Sequence, residues 1–427
     1  MSGGLGLAAS SCGTRRPGGP RPLSRSETSS DAALLRDIIE GCWRFFDEAA
    51  HPVSGQVLDR RRTDGGHESR RVASIAATGF GLTGLCIADR RRLLRAGEGL
   101  ARARRTLGFI DRQLPNVRGF YYHFHDWETG ERIWKCELSS VDTTWLLAGV
   151  LCCQAHFEDR EVDRLATRIF ERVEWPWMLA GGKTLSMGWF PEKGFLASRW
   201  DHYCELMVLY LLGLGSRSFP LPADTWLAWD RPVRELYGER YVWSPAPLFV
   251  HQFAQAWVDF RNWEDHGVNW HENSVRATRA HRAWSVDQRS RFSQWSGDLW
   301  GVTSSDSAQG YVGWGGPPDS GPLDGTIVPC AAAGSLPFLP EECLRTLRYQ
   351  RERFGDKIWS RYGFVDAFNP HTGWVNPDVV GIDVGVTMLM AENLATGSVW
   401  KNVVGIPEVR RGQERALSVS PKSTKEN

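Results

Sequence analysis

Asp201-His202-Tyr203-Cys204-Glu205-Leu206-Met207-Val208-Leu209-Tyr210-Leu211-Leu212 is the stretch on which the fold turns. As a strand, so apolar a run would belong to the buried parallel sheet of a β/α barrel. As a helix, it carries Leu206, Met207, Tyr210 and Leu211 at helical spacing. Leu rather than β-branched residues dominates it, which favours the helix. A helix that is apolar nearly all round has to be enclosed by other helices.

Five more segments share this character: 72–88, 140–154, 246–260, 325–337 and 378–395. Between them lies amphipathic text with charges between its apolar positions, at 32–50, 97–113, 160–175, 223–236, 270–291 and 340–354. Six enclosed helices alternating with six half-exposed ones predict an all-α (α/α)6 barrel over residues 31–405. Connections leading into the enclosed helices are long, at 115–139, 176–200, 292–324 and 355–377, while those leaving them are short, at 89–96, 155–159 and 213–222. Long loops in a compact domain tend to carry function, and all of these emerge at one end of the barrel. That end is the expected active face.

Residues 1–30 are rich in Gly, Ser, Pro and Arg and read as a disordered leader. The run Gly4-Leu5-Gly6-Leu7-Ala8-Ala9-Ser10-Ser11-Cys12 resembles the tail of a signal peptide ending in a lipidated cysteine, which predicts a periplasmic or exported protein. Residues 406–427 are expected to be a disordered tail. Lys+Arg 51 against Asp+Glu 50 leaves a formal charge of +1, so no global field exists to hold nucleic acid. No apolar run approaches the roughly 18 residues of a spanning helix. Nine cysteines lack paired spacing and sit mostly in apolar helical text, as Cys86, Cys152, Cys153, Cys204 and Cys330 do. No zinc motif, phosphate loop, GxSxG or HExxH is present, and neither a cofactor nor a metal is expected.

Twenty-one tryptophans in 427 residues are more than a core needs. The expected active face holds Trp134, Trp189, Trp200, Trp314 and Trp374, together with Asp306 and Asp366. Aromatic walls edged with carboxylates suit a sugar, whose C–H face stacks on rings while its hydroxyls seek charged acceptors. The alternative for each tryptophan is loop packing. Within Arg199-Trp200-Asp201-His202-Tyr203-Cys204-Glu205, a helix would put Asp201 and Glu205 on one face. The helix dipole and Arg199 would keep Asp201 ionised, while burial raises the pKa of Glu205 and suits it to general acid catalysis. The alternative is that Asp201 caps the helix and Glu205 joins a buried ion pair. Glu137 and Asp142 open the preceding inner helix, either as a cap arrangement with Ser139 or Ser140, or as carboxylates facing the same opening. Arg199, Trp200, His202 and Tyr203 are candidate substrate contacts beside them. Asp383, early in the last inner helix, reads as a residue stabilising that helix end. Two carboxyls from separate helices could flank a glycosidic bond.

Several runs then form an ordered set: Gly119-Phe120-Tyr121-Tyr122-His123-Phe124 with Asp126-Trp127, Cys136-Glu137-Leu138-Ser139-Ser140-Val141-Asp142-Thr143, TLSMGW (184–189), RWDHYCE (199–205), SDSAQGYVGWGG (305–316), YGFVDAFNP (362–370) and GWVNPDVVGIDVG (373–385). Across about residues 32–410 the chain resembles the bacterial glucoamylase-like family. That family includes endo-β-1,2-glucanases and is related to domains of cyclic β-1,2-glucan synthases. The resemblance implies an (α/α)6 barrel, an inverting hydrolase acting on a β-glucan, and catalytic or substrate-contacting carboxylates at Glu137, Asp142 and Glu205. A catalytically inactive carbohydrate-binding protein and a transglycosylase are the competing expectations.

Overall fold

The computed structural model describes residues 25–419, so Cys12 and most of the expected leader lie outside the described residues. In chain order the helices are α1 (Arg25–Ala49), α2 (Ile75–Arg90), α3 (Glu98–Arg112), α4 (Ser140–Phe157), α5 (Arg160–Glu171), α6 (Met207–Gly215), α7 (Phe253–Trp257), α8 (Trp270–Asp287), α9 (Pro329–Ala333), α10 (Pro340–Phe354), α11 (Gly381–Ala395), α12 (Ser398–Val404) and α13 (Pro407–Val419). They form an α/α barrel. Its inner ring is α2, α4, α6, α7, α9 and α11, and every residue of α6 and α9 is buried. The outer helices bury one stripe each, as α5 does with Val162, Leu165, Ala166, Ile169 and Phe170. One continuous core runs from Leu34 to Ala416.

Close approach of the inner helices α2 and α4 depends on glycine. A Cβ at Gly79 would stand 2.1 Å from the carbonyl oxygen of Trp145, and one at Gly149 2.2 Å from that of Gly79.

Three expected elements differ, each for a local reason. Residues 201–206 are not helical, and α6 begins only at Met207. The segment pairs instead with 230, through Tyr203 N–H to Asp230 O and Asp230 N–H to Asp201 O, both at 2.8 Å. The expected outer helix at 223–236 is a 3-10 turn, Ala223–Leu227, followed by a hairpin that pairs Val233–Leu236 with Glu239–Val242. Tyr237 and Gly238 at its tip both have positive φ, 51° and 77°, the pattern of a tight two-residue hairpin turn. Residues 246–260 divide into a 3-10 turn, Leu248–His251, and the short α7.

The outer position beside α6 is filled by α13, which lies in the region expected to be a disordered tail. Val409, Gly412 and Ala416 are its buried residues. A Cβ at Gly412 would fall 2.1 Å from Leu211 O, so the two backbones nearly touch. Arg411 Nε donates to Gly215 O at 2.9 Å and Arg415 Nη1 to Leu214 O at 3.1 Å. These bonds satisfy carbonyls left open where α6 ends, with positive charge at the negative end of its dipole. Gly412→Val is expected to lower stability by about 1–3 kcal/mol through overpacking, measured as a fall in thermal midpoint. Gly405→Ala is the control, since its Cβ would meet nothing closer than 3.5 Å.

At the barrel end where the inner helices begin, short antiparallel ladders join the long loops. Val72–Ser74 pairs with Phe124–Asp126, Arg60–Arg62 with Asp378–Val380, and Leu138–Ser139 with Gly188–Trp189. The first residues of α2, α4 and α11 follow directly from such strands. Side chains at those helix starts are therefore held from two directions.

Candidate active site

Ser139 ends its strand and caps α4. Its hydroxyl accepts the Asp142 N–H at 3.2 Å and donates to Asp142 Oδ2 at 2.5 Å. The capping reading of this stretch is realised, and the hydroxyl that caps the helix also holds the Asp142 carboxylate. Glu137 sits two residues before the cap. Here Gly188 leaves room for it, because a Cβ on Gly188 would lie 2.9 Å from Glu137 Cγ.

Between the two acids lies His123. Its Nδ1 is 3.0 Å from Glu137 Oε1 and its Nε2 3.6 Å from Asp142 Oδ2. Burial alone would depress its pKa, but Asp142 and the hydrogen bond to Glu137 outweigh it and push the ring up to about 9. Reciprocally, the hydrogen bond from His123 holds Glu137 below the usual carboxylate range despite its burial.

Glu205 lies in the turn leading into α6, half-buried. Burial pushes its carboxyl up to about 7, with the negative charge of Asp142 adding to the rise and hydrogen bonding from the backbone and from the Cys204 thiol opposing it. The site thus joins an acid with a raised pKa, Glu205, to a carboxylate held low, Glu137.

A second acidic group stands across the same end of the barrel. Arg60 Nη1 donates to Asp306 Oδ2 at 2.6 Å, and Asn376 Nδ2 to Asp366 Oδ2 at 3.0 Å. Asp366 is pushed up to about 6 by burial, with the charge of Asp306 adding to it. Asp383, in the first turn of α11, is raised further by burial and by Asp366, with which it hydrogen-bonds. Two buried carboxyls in contact cannot both ionise, so this pair keeps a proton. The two groups are linked by adjacent residues: Arg60 Nε donates to Asp59 Oδ2 at 3.0 Å, and the charge of Asp59 reaches His123.

The remaining expected site residues are distributed unevenly. Asp201 does not share a helix face with Glu205. Its side chain is 49% exposed and accepts from His202 Nδ1 at 2.8 Å. Arg199 does not pair with Asp201 but clamps the loop before it, donating to the carbonyls of Leu179 and Thr184 and to Thr184 Oγ1. Trp200 is 7% exposed, with its Nε1 donating to Ser140 Oγ at 2.8 Å. Tyr203 is fully buried, stacked on Trp270 at 5.2 Å and hydrogen-bonded through its hydroxyl to His251 Nδ1. Arg199, Trp200 and Tyr203 thus brace the turn that carries Glu205, with Trp200 and Tyr203 buried and Arg199 half-buried. Trp314 is likewise buried, at 5% exposure.

Trp374 lines a cavity of about 270 Å³ with Arg353, Phe354 and Lys357. Trp189 is half-buried, paired with Leu138 next to Glu137. Trp134 is 71% exposed, with its ring edge-on to Phe124 at 5.3 Å, and Phe124 in turn stacks on His123 at 3.9 Å. Trp134 also has positive φ, 53°, a conformation rare for so bulky a residue. Such local strain is characteristic of functional positions.

His123, Asp59, Arg60 and Asn376 were not legible as site residues in the sequence. For His123 the only signal was its place in the Gly119–Phe124 run. Among the described residues no cluster of three or more His, Cys, Asp or Glu is arranged to hold a metal ion, and no helix is long and apolar enough to cross a membrane.

Residues 197–407 match the family model described as "Putative glucoamylase". The chain is 23% identical over 432 aligned residues to the exo β-1,2-glucooligosaccharide sophorohydrolase (non-reducing end) of Parabacteroides distasonis, covering 91% of this chain and 58% of that protein. It thus spans less than two thirds of that relative's length. Among solved structures, the endo-β-1,2-glucanase from Chitinophaga pinensis, in complex with sophorotriose and glucose, superposes with a TM-score of 0.83 at 25% identity, covering 91% of this chain and 98% of that one. The β-1,2-glucanase from Parabacteroides distasonis superposes with a TM-score of 0.84 at 23% identity, covering 93% of this chain and 61% of that one. In its barrel, its ordered motifs and these matches, the chain is similar to the glucoamylase-like family, whose model covers just under half of it.

Proposed function

We propose that this protein is a glycoside hydrolase that cleaves β-1,2-glucan within the chain, with inversion at the anomeric carbon. The observation that carries the reading is the pairing of Glu205, protonated near neutral pH, with the anchored carboxylate Asp142. In the reaction Glu205 gives its proton to the leaving glycosidic oxygen while the C1–O bond breaks. Asp142 takes a proton from the water, or from a substrate hydroxyl through which that water is activated, and the oxygen of the water bonds to C1. Each turnover consumes one water, and solvent exchange returns both carboxyls to their starting states. The names of the similar proteins support β-1,2-glucan as the substrate class. We keep with this the expectation that the protein works outside the cytoplasm, which cell fractionation tests.

Incubating the purified protein with linear β-1,2-glucan and separating the products by chromatography tests the proposal. Short oligosaccharides support it. Unchanged polymer favours a binding protein or another substrate, and longer or cyclic products favour a transglycosylase.

Trp134 is the expected stacking wall beside Glu137. Trp134→Ala should weaken oligosaccharide binding by about 1–3 kcal/mol, seen as a rise in KM with kcat nearly unchanged. Trp314→Ala should instead lower thermal stability, because its ring is buried.

A further inference from the structure

His123 has both ring nitrogens turned toward carboxylates, Nδ1 to Glu137 and Nε2 to Asp142. A neutral imidazole has one N–H and one lone pair, so one of these contacts would set a lone pair against a negative oxygen. The imidazolium suits both contacts, donating from Nδ1 to Glu137 at 3.0 Å and attracting Asp142 across the 3.6 Å to Nε2. The ring is also prevented from turning away. It stacks on Phe124 at 3.9 Å with planes 13° apart, its backbone N–H donates to Glu137 O at 3.0 Å, and its carbonyl accepts from Ile75 N–H at 3.3 Å.

The groups that face it come from several elements. Glu137 lies in the connection before α4 and Asp142 in its first turn, while Asp59 comes from the segment before the Arg60–Arg62 strand. His125, on the strand that follows His123, is held neutral by burial and by the His123 charge. Arg132 adds a weaker positive charge near Glu137, and Arg60 binds Asp59 from its far side. Glu137 and Asp142 thus set negative charge on both edges of a half-buried imidazole, which the ring's proton balances.

We propose that His123 is a positioning residue which, as an imidazolium, keeps Glu137 ionised and holds Glu137 and Asp142 in fixed geometry, and thereby sets the acidic limit of turnover. The inference rests on the reading of these carboxylates as hydrolytic machinery. His123 itself transfers no proton to substrate. Its hydrogen bond keeps Glu137 ionised where an unbridged carboxylate in this half-buried place would take up a proton at higher pH, and its charge holds the Asp142 carboxylate turned toward it.

Two measurements test this. On histidine-labelled wild-type protein without substrate, the ¹⁵N signals of the His123 ring should show both nitrogens protonated through pH 8. A ring that titrates in the ordinary histidine range overturns the proposal. In His123→Gln, the acidic limb of the kcat profile on β-1,2-glucan should move up by about one pH unit, with kcat at pH 7 falling tenfold or more and KM little changed. A kcat loss with an unmoved acidic limb would make His123 a packing residue and overturn the proposal as well. If wild-type protein leaves the glucan intact, the proposed function fails, and the ring signals alone decide for or against the imidazolium bridge.

Discussion

Glu205→Gln is expected to reduce kcat on β-1,2-glucan by more than about a hundredfold, the usual scale of general acid catalysis, while substrate affinity and thermal midpoint stay near wild type. The amide keeps the volume and most of the hydrogen bonding but has no proton to give to the leaving oxygen. Leaving-group chemistry offers a second reading of the same variant. With an activated aryl leaving group, which needs little protonation, much of the lost rate should return. In the wild type, Glu205 at about pH 7 should also define the alkaline limb of activity, since deprotonation removes the acid. That limb should vanish in the variant. Retention of more than about a hundredth of the rate would make Glu205 a structural carboxyl and move the search for the acid to the proton-sharing pair Asp366 and Asp383.

Asp142→Asn should cause a comparable fall in kcat, and its pH profile separates it from a general disturbance. The negative charge of Asp142 is one cause of the raised Glu205 pKa, and removing it leaves His123 less fully neutralised. Both changes favour an ionised Glu205. The residual activity should therefore lose its alkaline limb at a lower pH than wild type does. A limb that stays in place would mean that Asp142 and Glu205 do not sense each other. Ser139 provides the control, because Ser139→Ala removes the hydroxyl from Asp142 and from the α4 cap together. Loss of the cap costs about 1 kcal/mol, which the thermal midpoint reports separately from the rate.

The barrel was legible because its inner helices have to be apolar on all sides, and α2, α4 and α11 start within a few residues of where that pattern begins. Asp142 and Glu205 were legible because acids at the openings of apolar helices are unusual and need a reason. What could not be read is whatever depends on pairing between distant segments. His123 meets Glu137 through strand pairing, as the bridge from Tyr122 to Leu138 shows, and nothing in the spacing of the two residues announces it. Asp201 was assigned to the Glu205 helix face because a continuous helix was assumed through a segment that instead bonds to Asp230. Residues 406–427 read as a disordered tail, yet two arginines of α13 close the carbonyl end of α6. Tryptophan count alone could not tell an exposed ring from filling, and Trp200 and Trp314 are buried while Trp134 is exposed and Trp374 lines a cavity.

The central claim is that Glu205 and Asp142 hydrolyse a β-1,2 linkage by single displacement. A proton NMR time course on linear β-1,2-glucan reads this directly, because newly formed reducing ends appear in one anomeric configuration before they mutarotate. Wild-type protein should produce α-configured ends first, and Glu205→Gln should produce almost none over the same time. New ends that appear first as the β-anomer, or a polymer that acquires no reducing ends with wild-type protein, would contradict the account.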